Sequence, residues 1–260
     1  MLSRATMTDT SDADVATRWN KNADQWTRDV RAGFDVYRDH FTFPAFLDAL
    51  PSIDGLDVID FGCGEGTNTR TFAWRGARVT GIDLSSRMIE HAKREEKADP
   101  LGIRYRVSSY SDHCGEPDES FDAVLSTMAL MDGPDLSGAM LEAFRLLRPG
   151  GFLLFSVLHP CFITPGLGWE KDASGQPTGL RVADYFDRSP FTEHWRFGDR
   201  PKEEDVIPFA VPRFPRTKGD YLNAVVCAGF MLTAISMLMM PPASPSARSC
   251  PLEKESVSSC

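Results

Sequence analysis

The stretch that decides the fold is LDVIDFGCGEG, residues 56–66. Its first half is short, apolar and β-branched, which is typical of a buried strand in a parallel sheet. Its second half places Gly62, Gly64 and Gly66 at alternate positions. Glycine adopts backbone angles that other residues avoid and lets a ligand approach the main chain closely. The stretch therefore predicts a strand that runs into a ligand-binding loop.

A second strand, predicted over residues 78–82, leads directly into the acidic side chain of Asp83 within the segment VTGIDLS (79–85). Asp83 follows Gly66 by seventeen residues, and a carboxylate at this position can accept hydrogen bonds from both hydroxyls of a ribose. Asp83 could also cap the helix that starts near Ser86, but a cap does not explain the glycines. The two features together predict a nucleotide-type cofactor at the strand tips.

Strands and helices alternate around these two segments. Helices are predicted over residues 69–75, 86–96 and 136–147, and further strands over 104–107, 123–126 and 152–158. This alternation indicates a parallel sheet with helices on both faces. The predicted fold class is a doubly wound α/β sheet.

The flanking regions differ in composition from the core. Trp19, Ala23, Trp26 and Val30 share one helical face, and residues 161–220 are rich in proline, glycine and aromatic residues. A long excursion from a compact domain usually serves the site, so it is predicted to be a lid. We expect a disordered N-terminus (1–13), cap helices (14–50), a cofactor-binding core (51–160), an inserted substrate lid (161–220), a core helix and strand (221–240) and a disordered tail (241–260).

Composition excludes several classes of protein. Twenty-eight basic against 37 acidic residues give a net charge of −9, which argues against a nucleic-acid partner. Six scattered cysteines lack the spacing of a metal site or a disulfide framework, so no metal is expected. No apolar run is long enough to cross a membrane, and the N-terminus lacks the pattern of a signal peptide. We expect a cytoplasmic protein that contacts no membrane.

Five segments, taken in order, resemble those of the class I S-adenosylmethionine-dependent methyltransferases that act on small molecules. They are VIDFGCGEG (58–66), VTGIDLS (79–85), SSYSD (108–112), FDAVLSTMALM (121–131) and LLRPGGFLLFSVLHP (146–160). The resemblance implies methyl transfer from S-adenosylmethionine to an oxygen or nitrogen of a small-molecule acceptor by in-line displacement. The product would be S-adenosylhomocysteine.

The resemblance also implies a Rossmann-like sheet of the seven-stranded, mostly parallel type. Relatives finish this sheet with a last apolar strand, which is missing here, because residues after 240 contain no apolar run of four or more. The segment MLTAISMLMM (231–240) is predicted to form a further strand. An open edge would leave the protein a monomer of reduced stability, or a homodimer paired through that edge.

Cofactor contacts are implied by position in these segments. Gly62, Cys63 and Gly64 would lie against the methionine part, with Asp60 below the loop and Asp83 on the ribose. Leu84 and Met88 would enclose the adenine, Ser109 and Tyr110 would meet its edge, and Thr127 and Met128 would line the sulfur side. From the cap helices, Trp19, Arg31 and Tyr37 would cover the cofactor, with Arg31 pairing its carboxylate.

Three side chains are candidates for a general base. His159 follows the fifth strand on the ligand side of the sheet and is the first candidate, although it could instead hold the loop before Pro160. His194 in the lid and Asp132 after the fourth strand are the next candidates. Cys161 as a nucleophile is disfavoured, because that chemistry belongs to nucleic-acid substrates and the chain is acidic. Aromatic lid residues, Trp169, Tyr185, Phe186 and Trp195, suit a site in which a sulfonium charge disappears.

Two other functions remain open at this point. One is a cofactor-binding module without catalysis, and the other is a nicotinamide-dependent oxidoreductase, whose glycines are usually spaced as G-x-G-x-x-G. The sequence names no acceptor, since the predicted lid carries no motif that identifies one.

Overall fold

A computed structural model describes residues 11–198 and 206–238. Five parallel strands form its central sheet in the order β3-β2-β1-β4-β5. They are β1 (Asp57–Phe61), β2 (Arg78–Asp83), β3 (Arg104–Val107), β4 (Phe121–Thr127) and β5 (Leu147–Ser156). The strand order reverses between β1 and β4, which creates the switch point where ligands bind in open α/β sheets. The predicted doubly wound α/β sheet is confirmed.

Six helices accompany the sheet in the described ranges. They are α1 (Asp12–Arg31), α2 (Phe43–Ala49), α3 (Thr67–Trp74), α4 (Ser86–Ala98), α5 (Leu136–Leu146) and α6 (Lys218–Cys227). A π-helical turn (Arg38–Thr42) precedes α2, and short 3-10 turns cover Leu130–Asp132 and Pro160–Phe162.

The core has two layers because alternate residues of β1 face opposite sides of the sheet. Val58 packs with residues of α2, α3 and α4, including Phe46, Phe72 and Ile89. Ile59 and Phe61 pack with α5 and α6 on the other face. Because helices cover both faces of the sheet, the polar loops lie at the ends of the strands.

Two antiparallel strand pairs follow β5. They are β6 (Gly168–Lys171) with β7 (Pro177–Arg181), and β8 (Phe191–Trp195) with β9 (Phe209–Arg213). Trp26 of α1 contacts Trp195, Phe197 and Phe209, with ring centroids 5.2–5.5 Å apart. We call α1, β8 and β9 together the roof. Chain segments about 180 residues apart thus form one cover over the sheet.

The N-terminal boundary differs from the prediction. Helix α1 starts at Asp12 because Ser11 and Asp14 form a capping box, in which each side chain bonds the backbone of the other residue. Residues 12 and 13 are therefore helical, not disordered. The predicted disorder of residues 1–10 and of the tail, 241–260, lies outside the described residues.

The predicted strand over residues 231–240 is wrong as far as residues 231–238 are concerned, because these form no strand or helix. Met231 is 88% exposed and Ile235 is 63% exposed. Met239 and Met240 lie outside the described residues. Within the described ranges β5 pairs with β4 alone, so it forms an edge of the sheet. Within residues 11–198 and 206–238, no helix has the length and apolar character that a membrane span needs.

Candidate functional site

A cavity of about 1110 Å³ lies between the strand tips and the roof. Most of the residues predicted for the site line it. They are Trp19, Tyr37, Gly62, Gly64, Asp83, Leu84, Met88, Tyr110, Thr127, Met128, Asp132 and His159. The strand tips contribute the polar groups and the roof contributes mostly aromatic rings. One cavity therefore has room for a cofactor and an acceptor side by side.

The glycine loop forms the floor of this cavity. Gly62 has a φ of +71°, and a Cβ at this position would overlap the Cβ of Ala129. Gly64 has a φ of +56°, and a Cβ there would meet no atom within 4 Å. The first glycine is therefore required by the packing of the protein, whereas the second leaves open space where a ligand can lie on the main chain. Cys63 points away from the cavity into the core beside Gly81.

Asp83 closes the loop from the tip of β2. Its Oδ2 accepts the Gly64 N–H at 2.9 Å and its Oδ1 accepts the Ser85 N–H at 2.8 Å. Each carboxylate oxygen has further lone pairs, so two ribose hydroxyls can still donate to it. Burial raises the pKa of Asp83 to about 6. The carboxylate is thus held in one orientation with its remaining acceptor capacity available.

Asp60 lies beneath the loop and does not line the cavity. It is fully buried, and its Oδ2 accepts the Thr69 hydroxyl at 2.6 Å while Oδ1 has no partner. Burial raises the pKa of Asp60 to about 7, and the nearby Asp83 adds to the rise. Asp60 therefore ties α3 to β1 beneath the loop.

Asn68, in the first turn of α3, lines the cavity although sequence analysis did not select it. Its Nδ2 donates to Thr127 Oγ1 at 2.9 Å, and its Oδ1 is buried without a partner. Exchanging the two amide positions would leave the nitrogen unpaired instead. Either way, one polar group next to the glycine loop awaits a ligand. The sequence did not indicate this role, since an asparagine side chain near the start of a helix usually forms hydrogen bonds with nearby backbone groups.

The predicted adenine side is only partly as expected. Leu84, Met88 and Tyr110 line the cavity, and Tyr110 stacks on Phe61 and donates to the carbonyl of Ala129. Ser109 does not line it, because its hydroxyl donates to the Asp12 carboxylate at 2.6 Å. A contact between Ser109 and the adenine edge therefore has no support from the structure.

The structure places Arg31 outside the cavity, so the predicted pairing with the cofactor carboxylate has no support from it. Arg31 forms an ion pair with Glu95 at 2.9 Å and bonds the carbonyl of His91, both on α4 outside the cavity. Arg38, one residue beyond Tyr37, lines the cavity instead. Successive side chains of a helix point in directions about 100° apart. A small error in the predicted rotation of a cap helix therefore places a long side chain on the wrong side.

Of the three candidate bases, His194 is placed outside the cavity. It is exposed on β8, while its neighbours Glu193 and Trp195 point inward, because strand residues alternate. His159 lines the cavity, and its Nδ1 accepts the N–H of Cys161 at 3.3 Å. Burial lowers the pKa of His159, and the positive charge of Lys218 lowers it further. His159 is therefore a neutral imidazole at physiological pH.

Asp132 is buried at the cavity wall and forms an ion pair with Arg213 of β9. Arg213 also bonds Glu193 at 2.5 Å. Glu193 and Arg213 were not selected from the sequence, whereas Trp195 was expected among the aromatic residues of the lid and does line the cavity. The partial alternation of Phe191–Trp195 was a usable signal for an inward face, but nothing local showed that this face meets the tip of β4.

Met128 follows β4 with a φ of +56°, a left-handed conformation that is strained for a side chain of this size. Its N–H bonds the carbonyl of Ser156 at 3.0 Å, which helps to hold the strained turn. Strain of this kind often marks a functional site. Thr127 and Met128 thus present a rigid turn to the cavity.

The buried carboxylic acids predict a pH dependence of stability. The pKa values of Asp60, Asp83 and Asp132 are raised to about 7, 6 and 6 by burial, above the value of about 3.9 in an unfolded chain. Between these values the folded state binds more protons, so stability falls as pH rises. We expect the Tm of the cofactor-free protein to fall from pH 5.5 to pH 8. Thermal melts should show a flatter curve for Asp60→Asn, and a Tm that rises over this range would contradict the assignment.

The chain that forms this site is similar to known methyltransferases. The family described as methyltransferase domain matches residues 59–155. The chain is 36% identical to a ubiquinone biosynthesis O-methyltransferase from Chromobacterium violaceum, over 44% of this chain and 49% of that protein. It is 31% identical to the protein of the same name from Pseudomonas savastanoi pv. phaseolicola, over 73% of this chain and 82% of that protein.

A solved structure gives the same indication. An S-adenosylmethionine dependent methyltransferase from Mesorhizobium loti is 30% identical, with a TM-score of 0.58. The match covers 74% of this chain and 81% of that chain. It extends well beyond the glycine loop, so the likeness is not confined to one motif.

Proposed function

This chain belongs to the class I S-adenosylmethionine-dependent methyltransferases, and we propose that it methylates a hydroxyl oxygen on a flat, mostly apolar small molecule. Family membership confirms the expected cofactor, its product S-adenosylhomocysteine and the expected transfer of a methyl group to a small-molecule acceptor. Oxygen as the methylated atom and a flat acceptor go beyond this. Both proposals are supported by the large space, lined by aromatic side chains, that extends from the glycine loop.

The residues present fit the cofactor. Gly64 leaves open space above the main chain, Asp83 has spare acceptor capacity, and Asn68 has an unpaired buried polar group. We assign the ribose to Asp83, and the polar end of the methionine part to the Gly62–Gly64 main chain and Asn68. Leu84, Met88 and Tyr110 would enclose the adenine. Thr127 and Met128 would line the sulfur side.

When bound, S-adenosylmethionine supplies an electrophilic methyl group on a sulfonium. Displacement at that methyl requires close alignment with the acceptor and exclusion of water. Trp19, Trp26, Trp195 and Phe197 form apolar walls of the cavity, which remove water from around the reacting atoms. The protein therefore acts mainly by positioning, and strong stabilisation of the sulfonium by a carboxylate would slow the reaction by stabilising the ground state.

The shape of the acceptor half favours a ring. Aromatic side chains from the roof, together with Trp169 of β6, supply flat surfaces, and flat surfaces stack well on planar molecules. The relatives named above methylate oxygen, as their printed names state. We propose that residues 161–220 act as the lid that selects this ring. Tyr185 and Phe186, also expected in the lid, do not line the cavity.

The function is tested by measuring cofactor binding and methyl transfer separately. Calorimetry should detect heat from S-adenosylhomocysteine, and mass spectrometry should detect a methylated product when S-adenosylmethionine is supplied with catechol. Aniline and cyclohexylamine serve as nitrogen acceptors in parallel. Product from the amines alone would contradict oxygen methylation. Binding of the cofactor without product from a broad panel of phenols would identify a non-catalytic module.

We further propose that the protein works in the cytoplasm on small molecules, without a nucleic-acid or membrane partner, as a monomer or a homodimer. The acidic net charge supports the exclusion of nucleic acid. The unpaired edge of β5 supports a dimer as one of the two states. Sedimentation at micromolar concentration would distinguish them.

A further inference from the structure

Three charged side chains meet at the wall of the cavity. Asp132 follows β4, whereas Glu193 and Arg213 lie on β8 and β9 of the roof. Arg213 is 4% exposed and binds both carboxylates, and all three residues line the cavity. Two carboxylates thus share one buried guanidinium at the surface of the cavity.

The cluster leaves acceptor atoms unused. Arg213 bonds Oδ1 of Asp132 and Oε2 of Glu193. Oδ2 of Asp132 and Oε1 of Glu193 have no hydrogen-bond partner within residues 11–198 and 206–238. Neither oxygen is among the buried side-chain atoms that lack a partner, so both are accessible, and both residues line the cavity, where a donor on a bound molecule can reach them. The wall is therefore complementary to a hydroxyl proton.

His159 is poorly arranged to take that proton. Its Nδ1 accepts the Cys161 N–H, so the neutral ring carries its own proton on Nε2. Nε2 can then donate a hydrogen bond but has no lone pair for an incoming proton. To act as a base, the ring would have to give up its bond to the backbone.

We propose that Asp132 is the general base that removes the proton of the acceptor hydroxyl, and that Arg213 and Glu193 are positioning residues that hold it in place. This inference rests on the proposed hydroxyl acceptor. The acceptor oxygen forms a bond to the methyl carbon as the carbon–sulfur bond breaks. The electron pair of that bond goes to sulfur, and the hydroxyl proton goes to Oδ2 of Asp132.

The charges in the cavity favour this assignment. The sulfonium loses its positive charge in the reaction while the Asp132 carboxylate loses its negative charge. Opposite charges that disappear together leave a neutral site, which a low-dielectric cavity favours. The roof supplies Arg213 and Glu193, so the base is held in place only when the roof is docked on the tip of β4.

Other charged groups also face Asp132. Arg216, after β9, donates to the carbonyls of Leu130 and Gly133, and Tyr110 and Tyr221 pack nearby. Burial raises the pKa of Asp132 to about 6, against the lowering effect of Arg213 and Arg216, while Glu193 raises it further. A base with a pKa near the working pH combines availability with driving force.

The pH dependence of turnover tests the proposal, with catechol as the probe. Wild type should lose activity below about pH 6. Asp132→Asn should lower kcat by about 10² to 10⁴ and abolish this acid limb. Glu193→Gln should move the limb to lower pH, because Arg213 then serves Asp132 alone. A merely structural role for Glu193 would change the rate but not the midpoint. His159→Asn should keep the limb, and loss of the limb in that variant would transfer the role to His159.

A readout independent of activity separates this proposal from the function as a whole. Carbon-13 NMR of the aspartate carboxyls, assigned by comparison with Asp132→Asn, should show Asp132 titrating near pH 6 in protein bound to S-adenosylhomocysteine. Titration near the usual value of about 4 would overturn the base, as would an Asp132→Asn variant with kcat within tenfold of wild type. Absence of product from every phenol in wild type would refute the proposed function instead, while the NMR titration would still decide the state of Asp132.

Discussion

Replacement of Asp83 by alanine is expected to weaken the binding of S-adenosylhomocysteine by about 100-fold or more. Hydrogen bonds to a charged acceptor contribute about 1.5–3 kcal/mol each, and we propose that Asp83 accepts two from the ribose. A loss of about 3 kcal/mol corresponds to roughly 100-fold in Kd. The substitution also removes the bond that holds the Gly64 N–H, so the loop itself loses its orientation. Titration calorimetry at pH 7.5 measures the change.

Ser85→Ala is the matched control for this experiment. Ser85 is fully buried beside Asp83 and caps α4 by accepting the Met88 N–H at 3.1 Å, but it does not line the cavity. Loss of an N-cap costs about 1 kcal/mol, so the control should lower the Tm while its Kd stays close to that of wild type. Equal Kd values for Asp83→Ala and wild type would remove the ribose assignment.

Gly62→Ala is expected to produce the largest loss of stability among single substitutions in the loop. The new Cβ would overlap that of Ala129, and a residue other than glycine is strained at a φ of +71°. Overpacking costs about 1–3 kcal/mol and left-handed backbone about 1–2 kcal/mol. We expect unfolding in urea to show a loss of about 3 kcal/mol, together with weakened cofactor binding.

Gly102→Ala separates the two causes. Gly102 has a φ of +80°, but a Cβ there would meet nothing within 4 Å. This control should carry only the backbone cost of about 1–2 kcal/mol and bind the cofactor normally. If both variants lost the same stability, the overlap with Ala129 would have no measurable effect.

The core of the fold could be predicted because its signals are local. Strand β3 begins and ends at the predicted residues, and the bounds of α3 and α4 differ from prediction by only a few. A buried parallel strand must be apolar, and a loop that crosses close under a neighbouring residue must contain glycine. Such constraints act within about ten residues, so they are visible without the structure.

The errors are concentrated where an element meets a distant one. Arg31 lies in a predicted cap helix and His194 in the predicted lid, but neither side chain lines the cavity. Ser109 is bonded to Asp12, about 100 residues earlier in the chain. A helix or strand predicts which residues share a face, but not which neighbour that face will meet.

The sequence by itself determined the parallel sheet, the glycine loop and Asp83 at the tip of β2, because chain geometry over a few residues forces these features. Only the tertiary structure decided the wall formed by Asp132, Glu193 and Arg213, and the inward direction of Asn68. The aromatic contacts between α1 and β8–β9 bring together segments about 180 residues apart. The physical reason is that those contacts depend on long-range packing, which sets the rotation of each element about its own axis.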